Sequence, residues 1–148
     1  MCGICGYIAK NGQIPNTSQP LESMNRRGPD GQRGLKHGKV FLGHARLSII
    51  DTSLAAFQPM SDESNRYTIV FNGEIYNFKE LREDLLQRGV KFSNDSDTEV
   101  LLYLYILDGE ACLQKLIGFF GFAVYDSWEN KTFIARDRVG IKPISAVS

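Results

Sequence analysis

Apolar and polar residues recur with two different periods along this chain, and the switch between them marks out its elements. Short runs rich in β-branched and aromatic residues come first: "GICGYIA" from Gly3, "KVFLGHARLSII" from Lys39 and "RYTIVFNG" from Arg66. Each reads as a strand. The intervening stretches "RRGPDGQRG" and "DTSLAAFQPMSDESNR" are dense in Gly, Pro, Asp and Ser and read as loops. Both are long for structureless connections, which favours functional loops over filler.

Two helices follow. In "NFKELREDLLQRG", Asn77 stands at the N-cap and Glu80 at the capping-box position. Phe78, Leu81 and Leu85 form the apolar stripe, and Gly89 is the stop. "SDTEVLLYLYILDG" repeats the grammar with Ser96 and Glu99 at its start, Val100, Leu101, Leu104 and Leu107 inside, and Gly109 at its end. Then "GFFGFAVYD", a turn at "SWENK" and "TFIARD" predict a β-hairpin. The strand Phe119 to Tyr125 is apolar on both alternating faces, so its sheet is expected to be covered on both sides. Helices packed on stacked sheets fit that pattern better than a simple sandwich or a bundle.

Composition narrows the classes. A chain of 148 residues with 43% hydrophobic and 23% charged residues is that of one ordinary globular domain. Zero formal net charge gives no footprint for nucleic acid or a membrane surface. No apolar run approaches the length of a membrane span, and the first residues lack the features of a signal peptide. Cys2, Cys5 and Cys112 are too few for a secreted disulfide framework, and a reducing cytoplasm is the expected compartment.

Cys2 admits three readings. It can be a small buried hydrophobe at the edge of the first strand. It can pair with Cys5 as C-x-x-C, although a thioredoxin-type site should open a helix, and a zinc site lacks further ligands at suitable spacing. Thirdly, removal of Met1 would give Cys2 both a thiol and a free α-amine. With a reference pKa of about 7.7–8, that amine can serve as the base for its own nucleophile. His37 and His44 could support a papain-like arrangement, but neither lies in a pattern that demands it.

The strings "MCGICGYI", "RRGPDG", "LGHARLSIID", "QPM", "FNGEIYN", "SDTEVLLYLY", "GFFGFAVYD" and "ARDRVGIKP" stand in the order seen in class II glutamine amidotransferases. Together they resemble the glutaminase domain of glutamine-dependent asparagine synthetases, from Met1 to about Pro143. The resemblance implies an α+β N-terminal-nucleophile fold in four αββα layers, with two stacked antiparallel sheets. It also implies that the N-terminal cysteine attacks the glutamine side-chain amide, releases ammonia and leaves a glutamyl thioester for water to hydrolyse.

On the same resemblance, the Asn72 side chain and the Gly73 N–H would form the oxyanion hole. Without it, Asn-Gly would read as a hairpin turn. Arg46 would take the substrate carboxylate and Asp97 its ammonium, the latter also suiting a helix N-terminus. Glu74 and the backbone around Leu47, Ser48, Ile49 and Ile50 match the remaining glutamine contacts. "RRGPDG" and "QPM" would shape loops around the pocket without chemistry, and Cys5 and Cys112 would be packing residues. No metal site is expected.

The chain departs from the family after "GIKP", where further strands are expected. It is therefore read as truncated at its C-terminus, marginally stable, and prone to self-association or dependent on a partner. The synthetase domain is missing, so ATP and Mg would belong to a separate domain or subunit that also holds the ammonia acceptor. The alternative is an inactive remnant that keeps only the fold core.

Overall fold

The computed structural model describes residues 2–11, 13–47 and 56–147. Among the described residues, seven strands form two antiparallel sheets. The first has the order β1-β3-β2, from β1 (Gly3–Ile8), β2 (Gly31–His37) and β3 (Val40–Arg46). The second has the order β4-β5-β6-β7, from β4 (Met60–Ser61), β5 (Tyr67–Ile75), β6 (Gly118–Asp126) and β7 (Lys131–Arg136). The sheets stack through contacts of β1 and β3 with β5. Helix α1 (Ser18–Ser23) lies on the outer face of the first sheet. Helices α2 (Phe78–Gln87) and α3 (Asp97–Asp108) cover the second, with α3 against β5 and α2 against α3. This is the expected α+β layering, although its outer layer on the first sheet is one short helix. Among the described residues, no helix is long and apolar enough to cross a membrane.

Strand alternation sends the two faces of the second sheet into different cores. Ile69, Phe71, Ile75, Phe120, Phe122 and Val124 pack with Leu85, Val100, Leu101 and Leu104 of the helices. Val70, Ala123 and Tyr125 pack instead with Ile4, Val40 and Leu42 between the sheets. β6 is buried from Phe120 to Asp126, so the strand that reads as apolar on both faces is covered on both.

The helix ends differ in detail from the sequence reading. Ser96 caps α3 by accepting the Glu99 N–H at 3.2 Å. The Glu99 carboxylate does not reach back to it; it takes the N–H groups of Ser93 and Asn94. Asn77 makes no side-chain cap for α2, because its amide donates to the Lys115 carbonyl and its oxygen accepts the Ile117 N–H. Leu107, expected inside, is 45% exposed. Elements that were not legible are α1, β2, which begins within a stretch read as a loop, and β4, which lies wholly within the other. β2 carries Gly31, Gly34 and polar residues and is a strand by virtue of pairing with β3 along its whole length. Gly34 is glycine for space, since a Cβ there would lie 2.4 Å from the Phe41 ring.

Asn72-Gly73 is not a turn. Both residues lie within β5, opposite Gly121 and Phe120 of β6. Gly73 has φ +151°, and a Cβ there would meet the Phe119 carbonyl oxygen at 2.1 Å and the Phe120 Cα at 2.7 Å. Neither backbone atom can swing aside. Gly73→Ala should therefore destabilise the fold by about 1–3 kcal/mol. A lowered thermal midpoint is the expected result, and an unchanged midpoint would contradict it.

Candidate active site

The layer between the sheets turns polar at one end. On β3, Val40 and Leu42 belong to the apolar cluster, and the same face continues with His44 and Arg46, which are 1% and 5% exposed. On β5, Val70 belongs to that cluster and Asn72 is the next residue on its face. His44 sits against the backbone at Phe71. Continuing along both strands therefore places Arg46 and Asn72 at the same end of the layer between the sheets.

Cys2 stands just ahead of β1, in phase with Ile4, which packs between the sheets. Its Sγ accepts the Leu47 N–H at 3.2 Å and donates to the Leu47 carbonyl at 3.3 Å. The thiol is thus docked on the residue that follows Arg46. The Arg46 carbonyl accepts the Asp30 N–H at 3.0 Å, which fastens the "RRGPDG" loop to this point of β3. The Arg46 guanidinium lies 4.7 Å from the centroid of the Phe57 ring.

The edge of β5 gives the site its donors. Phe120 donates its N–H to Asp137 and accepts the Asp137 N–H through its carbonyl. Its polar groups thus face away from β5, so its partner Gly73 is in a pair without mutual hydrogen bonds. The N–H groups of Phe71, Gly73 and Ile75 therefore point to the opposite edge of β5. There β4 reaches only Ile69 and Thr68. The Gln58 Oε1 accepts the Phe71 N–H at 2.6 Å, and the Asp97 Oδ2 accepts the Ile75 N–H at 3.2 Å. Among the described residues, nothing accepts the Gly73 N–H, and nothing hydrogen-bonds the Asn72 carboxamide. Among the described residues, the Gly73 N–H is thus the unpaired donor between two capped ones on this edge, and the Asn72 carboxamide stands beside it on the face toward the first sheet.

Asp97 opens α3 and is buried at 6% exposure. Burial pushes its carboxyl up to about 6, with the Glu74 charge adding to the rise, while the N–H groups of Ile75 and Thr98 oppose it. Glu74 itself is exposed and Leu47 is half-buried. Ser48, Ile49 and Ile50 lie outside the described residues.

Other polar groups take bland roles. Burial, followed by the Arg46 charge, lowers His44 to about 4, so it is neutral at pH 7; the Phe71 backbone acts the other way. Neither ring nitrogen reaches hydrogen-bond geometry with a described group. The His37 ring lies 5.9 Å from that of Tyr125, tilted by 51°. Neither histidine hydrogen-bonds the Cys2 thiol, whose partners are both on Leu47. Cys5, three residues from Cys2, falls on the opposite face of β1 and lies toward Gly43 and Leu21. Burial pushes its thiol, and that of Cys112, up to about 11. The C-x-x-C spacing is thus no pair, and among the described residues no cluster of His, Cys, Asp or Glu could hold a metal ion. Sequence reasoning missed Gln58 and Thr98, whose side chains join β5 to α3, because a buried amide bridging distant segments leaves no periodic signal.

The profile described as "Glutamine amidotransferase domain" matches residues 1–147. Asparagine synthetase [glutamine-hydrolyzing] 3 of Bacillus subtilis (strain 168) is 42% identical over 149 residues, covering 97% of this chain and 24% of its own length. Asparagine synthetase [glutamine-hydrolyzing] 1 of the same strain is 41% identical over 150 residues, with the same coverage. Among solved structures, the glutamine phosphoribosylpyrophosphate amidotransferase from B. subtilis, complexed with ADP and GMP, matches with a TM-score of 0.56 at 28% identity. That match covers 68% of this chain and 23% of that one. The chain thus spans about a quarter of the length of the relatives it matches.

Proposed function

The chain belongs to the glutamine amidotransferase domain family and is homologous to the glutaminase part of asparagine synthetases; from this we propose that Cys2, freed by removal of Met1, hydrolyses the side-chain amide of glutamine. The Cys2 α-amine takes the thiol proton as Sγ attacks the amide carbon. The oxygen that gains charge lies between the Asn72 carboxamide and the Gly73 N–H. The proton then passes to the leaving nitrogen, ammonia departs, and a γ-glutamyl thioester remains. Water attacks that thioester with the amine again as base, and the thiol leaves with the proton as glutamate forms. Arg46 pairs with the substrate carboxylate, Asp97 with its ammonium, and Glu74 and the Leu47 backbone complete the contacts, together with Ser48, Ile49 and Ile50.

The observation that carries this reading is that, among the described residues, the Asn72 carboxamide and the Gly73 N–H have no hydrogen-bond partner, while the N–H groups of Phe71 and Ile75 on either side of Gly73 are both capped. The relatives, about four times as long, are named as synthetases. By extension, the ammonia made here is passed to a synthetase domain or subunit, where ATP and Mg would bind; the cysteines, all free thiols, suit a reducing cytoplasm. The test uses purified protein whose intact mass shows Met1 removed. Glutamine should yield glutamate and ammonia in equal amounts, and an electrophilic glutamine analogue should attach to Cys2. Retention of activity with Met1 in place, or labelling of Cys5 or Cys112 instead, would overturn the assignment.

Asp97 gives this reading a pH signature. Only its ionised form pairs with the substrate ammonium, and its carboxyl titrates at about 6. Glutamine binding to a Cys2→Ala protein, which cannot turn over, should weaken by about tenfold per pH unit below that value. Asp97→Asn should bind weakly with a flat profile. The stability effect has the opposite sign. The folded pKa lies above the ordinary 3.8, so the fold gains stability as pH falls from about 6 toward 3.8. At neutral pH, Asp97→Asn should accordingly stabilise the fold, by at most about 2–3 kcal/mol. Calorimetry and thermal melts across pH 4–8 check both signs.

A further inference from the structure

We propose that Gln58 is a positioning residue for glutamine hydrolysis, joining the strand that carries the oxyanion donors to the helix that carries Asp97. The inference rests on the reading of Asn72, Gly73 and Asp97 given above. Gln58 is 6% exposed, and its side-chain amide is used at both ends. Its Oε1 accepts the Phe71 N–H at 2.6 Å, and its Nε2 donates to the Thr98 Oγ1 at 3.1 Å. Phe71 immediately precedes Asn72, and Thr98 immediately follows Asp97.

The arrangement is a clamp with two arms. Asp97 holds the β5 edge through the Ile75 N–H, and Gln58 holds it through the Phe71 N–H. The open Gly73 N–H lies midway between them. Both arms return to the first turn of α3, since Asp97 and Thr98 are consecutive there. Among the described residues, no neighbouring strand beyond the short β4 fixes this part of the edge. Without the Gln58 arm, the stretch carrying Asn72 and Gly73 would be held on that side only at its two ends, by β4 at Ile69 and by Asp97 at Ile75. The consequence is specific: Gln58 sets the direction of the oxyanion donors without touching the substrate.

A merely structural glutamine would lower stability and leave the kinetics of the folded protein alone. A positioning glutamine changes kcat. Gln58→Met keeps length and bulk while removing both hydrogen bonds. Assayed well below its thermal midpoint, with the folded fraction measured by near-UV circular dichroism, it should lose about 10–10²-fold in kcat with little change in KM. Gln58→Glu can accept from both the Phe71 N–H and the Thr98 hydroxyl, and should recover most of that loss. In an Asn72→Ala background, Gln58→Met should cost much less than in the wild type, because part of what it positions is gone. Independent, multiplying losses, or an unchanged kcat per folded molecule, would overturn the proposal. Should Gln58→Met not fold, Thr98→Val, which removes the hydroxyl that holds the other end of the Gln58 amide, replaces it in the cycle with Asn72→Ala: losses that multiply there overturn the proposal. Wild-type protein and Asn72→Ala, run in parallel, separate the two levels. An inactive wild type, or an Asn72→Ala variant with unchanged kcat, defeats the hydrolase reading itself and this inference with it.

Discussion

Cys2→Ala should abolish glutamine hydrolysis, with kcat falling by on the order of 10⁴–10⁶, the scale seen when an enzyme loses its covalent nucleophile. The magnitude follows from what disappears. The substitution removes the atom that forms the thioester, so no other group can complete the two-step route. His44 is sealed between the sheets and neutral, and Cys5 lies on the opposite face of β1 with its thiol pushed up to about 11. Neither can take over. The fold should survive, because among the described residues the thiol's two hydrogen bonds both go to the Leu47 backbone. Glutamate release, measured beside a thermal melt, checks the two halves together. Residual turnover within a hundredfold of the wild type would place the nucleophile elsewhere.

Asn72→Ala carries the next largest expected effect, a loss of ~10²–10³ in kcat with KM for glutamine nearly constant. The oxyanion exists only after attack, so its donor stabilises the transition state and not the bound substrate. The structure makes this substitution a clean probe. Among the described residues nothing hydrogen-bonds the Asn72 carboxamide, so its removal leaves no orphaned partner and should barely move the thermal midpoint. Arg46→Ala should behave oppositely, chiefly raising KM through loss of a ground-state contact. It should also lower stability, because Arg46 is buried against Phe57. Steady-state kinetics on the two variants distinguish the roles, and a shared pattern in kcat and KM would indicate a general folding defect.

Much of this molecule is written in local patterns. Ser96 and Glu99 mark the start of α3, and Leu81 and Leu85 mark the inward face of α2. The doubly apolar run of β6 predicts its burial under helices on one side and a second sheet on the other. The motif order points to the family, which the comparisons bear out, and it is the source of the proposal for Cys2, Arg46, Asn72, Gly73 and Asp97. What local patterns cannot express is pairing. β2 has too little β-type character to be read as a strand and becomes one only beside β3. Asn77 looks like a cap because capping residues are recognised by type, yet its amide serves residues some forty positions away.

The sequence by itself determined the periods, the helix stops, the chemistry available at Cys2 and the family. The tertiary structure alone decided which of these groups are open. Whether Gly73 offers its N–H depends on the hydrogen-bond phase between β5 and β6 and on how early β4 ends. Whether Asp97 titrates near neutrality depends on how deeply α3 buries it against Ile75. Whether Gln58 is a loop residue or a link between β5 and α3 depends on three segments meeting. The physical reason is common to all three. Periodicity and capping are set by neighbours a few residues apart, whereas strand phase, desolvation and buried hydrogen bonds exist only once distant segments have packed together.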